Sequence, residues 1–220
     1  VGDVGRSFLD DLEQAKMSNL TSAFIGGIIF NFANLLLVIA IEIAGMAIAF
    51  PIGIGIALVL GVFTNYIAQP EGDPLILIIG VTLVAIAILI DGIAYKKILQ
   101  KTNENPLKGI LFSVSAGIAM GFFYKYVAAS MATDFVIPEA GKLTPYSALV
   151  IFSLGIIISS FLFNTINMYR PFSGEKVSFS DYFAMGNTKL HLIGILGGII
   201  WGIGMSFNCL LYTSPSPRDS

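Results

Sequence analysis

Long, unbroken apolar stretches constrain this chain more than any other feature. Residues 75–90 read LILIIGVTLVAIAILI, with Thr82 as the only polar side chain. Such a run neither alternates, as a half-exposed strand would, nor leaves a polar face for an amphipathic soluble helix. About 20 apolar residues cross a hydrocarbon core roughly 30 Å thick as a helix. Closed barrels are the other structure that satisfies its backbone in lipid, but their strands alternate apolar and polar over about ten residues. Helices therefore win. The runs predict six spans, at residues 21–44, 47–68, 74–93, 108–128, 145–166 and 189–207, in one transmembrane domain covering 1–208. The fold class is all-α, a polytopic transmembrane helix bundle whose solvent is the lipid bilayer.

Composition narrows the function classes. Charged residues make up 12% of the chain and hydrophobic ones 55%, against about 25% charged in soluble domains. A net charge of −2 without a basic block argues against nucleic acid as a partner. GxSxG, HExxH, Walker loop and Cys/His cluster are all missing from the sequence, so no enzyme is expected, and neither a cofactor nor a metal is implied. A single cysteine, Cys209, permits no internal disulfide.

Both ends differ from the middle. Residues 1–20 are polar and acidic (Asp3, Asp10, Asp11, Glu13), with Phe8, Leu9 and Leu12 as a weak apolar face, and read as a loop or interfacial helix. The chain starts at Val1 rather than Met, so preceding sequence is expected. From Cys209 the string CLLYTSPSPRD breaks off an apolar run. Back-translated, it resembles a transposase-type sequencing adapter, so residues 209–220 are expected to be foreign and to stand in place of an apolar continuation with two more spans. A genuine polar tail is the other reading. Charge is also sided: Lys96, Lys97, Lys101, Arg170 and Lys176 fall in loops on one side, with Asp3, Asp10, Asp11, Glu71, Asp73, Asp134 and Glu139 on the other. The positive-inside rule makes the Lys96 side cytoplasmic.

One internal repeat is visible. Residues 26–30 read GGIIF and residues 197–201 read GGIIW, followed by the small residues Ala33 and Gly204. The copies lie in the first and sixth spans, so they cross the membrane in opposite directions, as in inverted-repeat transporters. Two independent glycine-rich packing faces would look the same.

Polar residues inside spans mark candidate sites, because lipid rejects them. Asn31, Asn34 and Glu42 fall within a sector of about 80° on the first span, with Gly27 on the same face. They read as a substrate pathway, the amides hydrogen-bonding a solute and Glu42 coupling a proton or sodium ion. The rival reading is interhelical hydrogen bonding by the asparagines and snorkelling by Glu42. Pro51, followed by Gly53, Gly55 and Gly61, removes an N–H and crowds the carbonyl of Ala47. It predicts a broken or kinked second span beside a cavity, or a plain kink. Trp201 could stack on a sugar ring or simply pack. A central cavity shared by these residues is the expectation. Asn164 and Asn167 read as an interfacial cap, His191 has no assigned role, and Gly194, Gly198 and Gly202 form a small-xxx-small ridge that predicts close helix packing.

The segments AFIGGIIFNFANLLLVIAIEIAGMAIAFPIGIGIALVLG and HLIGILGGIIWGIGMSFN resemble the drug/metabolite transporter superfamily, most closely its bacterial sugar-uptake and ureide-permease-like branch. The resemblance implies ten helices in two inverted five-helix halves, of which this chain would hold helices three to eight. It further implies a multi-pass protein of the bacterial inner membrane, a secondary active transporter (permease) for a small polar organic solute such as a sugar, ureide or related metabolite. Many members have a cytoplasmic N-terminus, opposite to the side that the charges favour here. The alternative function is a membrane scaffold or packing subunit without its own substrate.

Overall fold

Apolar runs of this length form helices because a helix satisfies every interior N–H and C=O within the segment. The computed structural model describes residues 6–68, 70, 72–99, 106–134 and 137–212. Among them lie eight helices: α1 (Phe8–Gln14), α2 (Met17–Ala44), α3 (Met46–Ala68), α4 (Pro74–Leu99), α5 (Pro106–Ser130), α6 (Pro145–Tyr169), α7 (Phe179–Met185) and α8 (Thr188–Tyr212). Six of them, α2 to α6 and α8, are long and apolar enough to cross a membrane. The described residues contain no strand, and the all-α polytopic bundle is the observed fold class. Each predicted span lies inside one observed helix. Helix α8 continues through Cys209 to Tyr212, the start of the segment expected to be foreign, while residues 213–220 lie outside the described ones.

Two short helices complete the described residues. Within residues 1–20, expected to be a loop or an interfacial helix, Phe8–Gln14 form the helix α1, with Ser7 as its N-cap. Helix α7 has no counterpart in the predicted elements. It opens with a capping box in which Ser178 and Asp181 satisfy each other's backbone N–H groups, as such boxes do. Between α2 and α3 a single residue turns the chain: Gly45, at φ 84°, a conformation that favours glycine. The two-residue gap between the predicted first and second spans thus becomes a tight helical hairpin.

Packing makes α2 the central helix. It lies against α5 and α6 as well as its hairpin partner α3, whereas α4 packs on α3 and α8 packs on α6. Burial follows this order, 39% of the apolar window of α2 being buried against 6% for α8 and none for α4. The adjacent glycines of the first repeat copy set the close approaches. Gly26 faces α5, where an added methyl would come within 2.9 Å of Val127 Cγ2, and Gly27 faces α6, where it would strike the Phe152 carbonyl. Gly155 of α6 meets the Phe24 carbonyl in the same way. Side chains at these positions would force the backbones apart; glycines let them touch.

At the end of the bundle where α2 begins, the structure is sealed. Ala23, Val127, Met131, Leu143, Ala148 and Met205 form one buried cluster. Above it α1 clamps the loop that leads into α6. Asp11 is fully buried and pairs with Arg6 Nε at 3.2 Å. It accepts hydrogen bonds from Thr144 N (2.8 Å) and Thr144 Oγ1 (2.9 Å). Gln14 and Asn19 donate to the carbonyls of Lys142 and Gly141. A carboxylate can be buried at low cost when it is paired and hydrogen-bonded on several sides.

Candidate functional site

Three polar side chains on α6, Ser160, Asn164 and Asn167, recur at helical spacing and so share one face. That face lines a cavity of about 1360 Å³ at the end of the bundle opposite the α1 clamp. Opposite them stand the first turns of α8, with His191, and α7, with Asp181 and Tyr182, while Val38 of α2 closes the inner wall. The loop that follows α6 adds Val177 to the lining, and α7 adds its first residue, Phe179. The remaining lining is mostly apolar, which is the usual make-up of a small-molecule site: an apolar body with few convergent polar groups.

The polar groups are not all spoken for. Asn167 Oδ1 is buried and meets no hydrogen-bond partner among the described residues. A buried amide oxygen without a partner costs about 1–3 kcal/mol, so a donor from a bound molecule or water would be stabilising there. The His191 ring lies 4.9 Å from that of Tyr182. At the rim, hydrogen bonds from the Ser178 hydroxyl and backbone hold the Asp181 carboxyl below the ordinary aspartate range. The rim therefore carries a carboxylate at neutral pH.

Below the cavity lies a layer of four rings. Phe30 of α2 stacks on Trp201 of α8 at 4.5 Å, with Phe152 of α6 at 5.7 Å and Phe123 of α5 at 5.1 Å from Phe30. Trp201 also stacks on Phe152 at 6.1 Å. These spacings are those of favourable aromatic pairs. The two ends of the GGIIF/GGIIW repeat thus meet ring to ring.

Of the residues singled out from the sequence, none of Asn31, Asn34, Glu42, Pro51 and Trp201 lines this cavity. Asn31 donates to Ser159 Oγ of α6 at 2.8 Å, tying the two helices together. Asn34, at the edge of the same sector, is exposed. Glu42, also exposed, sits in the last turn of α2 with its carboxylate against Gly174 of the α6–α7 loop. Helix α3 runs without interruption through Pro51, and Gly53 and Gly55 beside it accommodate Leu37 and Ile88. Trp201 packs on rings, as described.

Asn164 and Asn167, read from the sequence as an interfacial cap, and His191, given no role there, are the functional candidates that the cavity brings forward. Their common face was readable from the Ser160, Asn164, Asn167 spacing, but nothing in the sequence says which helix stands opposite. The glycine ridge of α8 is corrected in the other direction. A methyl at Gly194, Gly198 or Gly202 would meet nothing within 4 Å, and Gly194 faces the cavity. Compared with known proteins, the chain matches no family model, no curated protein and no solved structure.

Proposed function

We propose that this chain belongs to a secondary transporter that moves a small polar organic solute, such as a sugar, a ureide or a related metabolite, across a membrane by alternating access. The observation that carries the reading is the contrast along α6. A cavity with an unpartnered amide lies toward one end, and a sealed helix bundle toward the other. An alternating-access protein presents its site to one side at a time. The opposite courses of α2 and α8 support an inverted repeat, because Phe30 meets Trp201 while Ala23 and Met205 share one cluster. The resemblance to the drug/metabolite transporter superfamily points the same way. The cavity faces the side bearing Arg170 and Lys176, cytoplasmic by the positive-inside rule. Glu42, at the rim level on that side, is the proposed site for a coupling proton or sodium ion.

Uptake into proteoliposomes tests the reading. With an imposed proton or sodium gradient, a panel of radiolabelled sugars and ureides should contain a solute that accumulates. Asn164→Ala and Asn167→Ala should each lower that uptake several-fold, and Glu42→Gln should lower gradient-driven uptake more than exchange. A panel without any gradient-dependent uptake would favour the other reading, a membrane scaffold or packing subunit. The open faces of α4 and α8 are the observation on that side.

A further inference from the structure

The order of features is the same along three helices. On α6 the cavity wall ends at Ile156, Phe152 follows one turn on, and buried Ala148 one turn beyond that. On α8, which runs the other way, the sequence is Ile195, Trp201, Met205. On α2 it is Val38, Phe30, Ala23. The rings therefore lie between the cavity lining and the sealed cluster, one turn from each on α6 and about two turns from the cavity lining on α2 and α8, with Trp201 at the exposed edge of the layer.

We infer that the Phe30–Trp201 pair, backed by Phe123 and Phe152, is the barrier that closes this pathway, and that it opens when α8 carries Trp201 off Phe30. The inference rests on the transport reading and adds the residues that gate it. Two facts assign the movement to α8. Helices α2 and α6 touch backbone to backbone at Gly27 and Gly155, so they cannot slide without breaking that fit, whereas the α8 glycines meet nothing that would hold them. A stacked ring pair can part by a small shift of one helix, while interdigitated backbones resist such a shift. Phe30 and Trp201 are also the matched last residues of the two repeat copies. Equivalent residues that touch lie where an axis relating the copies would pass, which is where an inverted-repeat transporter pivots.

Cysteine accessibility tests the barrier without knowledge of the solute. In the full chain with Cys209→Ser, Ile156→Cys and Met205→Cys place thiols on either side of the rings. A membrane-impermeant methanethiosulfonate reagent is added in liposomes from the cavity side. Ile156→Cys should react at least tenfold faster than Met205→Cys. Replacing Phe30 and Trp201 together by Ala should narrow that ratio to within about threefold, whereas Trp201→Phe, which keeps a ring, should preserve it. Equal rates in the ring-intact chain would overturn the inference, as would an unchanged ratio in a folded double-Ala variant. The ring-intact comparison decides by itself if that variant does not fold. Absent uptake alongside the expected labelling would count against transport alone.

Discussion

The two ends of this bundle are built from the same helices and behave as opposites. Toward the start of α2, small residues let α2, α5 and α6 close on one another, Met205 of α8 joins their buried cluster, and α1 locks the loop above them. Toward the start of α8, the same α6 and α8 splay around a cavity of about 1360 Å³. The difference lies in residue size and in what the loops do. The sealed end has Gly26, Gly27 and Gly155 at its crossings, while the open end lines α6 with Ile156, Ser160, Asn164 and Asn167. Glycine contacts thus zip α2 to α5 and α6, while side chains line the gap between α6 and α8. The zipped end then serves as the fixed point about which the rest can be arranged.

The sharpest way to break that comparison is to fill a crossing. Gly27→Val should destabilise the chain by about 3 kcal/mol or more, since the added atoms meet backbone that cannot yield. The matching change in the second repeat copy, Gly198→Val, meets open space and should stay within about 0.5 kcal/mol. Thermal unfolding of both variants in detergent measures the gap, and equal losses would mean that the glycines of α2 do not set the crossing. A second change attacks the lock. Asp11→Ala removes the Arg6 pair and both Thr144 hydrogen bonds, and should cost about 2–3 kcal/mol. Limited proteolysis of the 130–145 loop should accelerate in that variant while cleavage of the α6–α7 loop stays unchanged. The smallest effect concerns the asparagines. Asn31→Ala loses one interhelical hydrogen bond, worth about 1 kcal/mol in a membrane bundle, and Asn34→Ala should fall near zero. If unfolding shows the two losses to be the same, Asn31 is not tying α2 to α6.

Spans were legible because their signal is summed over some 20 residues, and no neighbour can hide it. Helix α7 was not, because seven residues of mixed character (FSDYFAM) carry no period to read; its evidence is the capping box, a four-residue signature easily passed over. Site residues sit between these cases. Helical geometry correctly put Gly27 and Asn31 on one face, and that face meets α6. Whether a face meets a helix, a cavity or lipid depends on partners far away in sequence. Asn164 and Asn167 show this, since depth alone suggested a cap, whereas the approach of α7 and α8 turned their face into a wall of the cavity.

The Asp11 lock also fixes an order of events. Its partner Thr144 lies 133 residues further along the chain. At synthesis rates of about 5–20 residues per second, on the order of ten seconds pass before that partner exists. Until then Arg6 and Asp11 are bound to water, and α2 to α5 must enter the bilayer without them. Closure of the N-terminal segment therefore reports that α6 has begun in its correct place. A chain whose α6 failed to insert would leave α1 loose and its carboxylate hydrated, a state that quality-control proteases could tell from the finished bundle by access to the first fifteen or so residues.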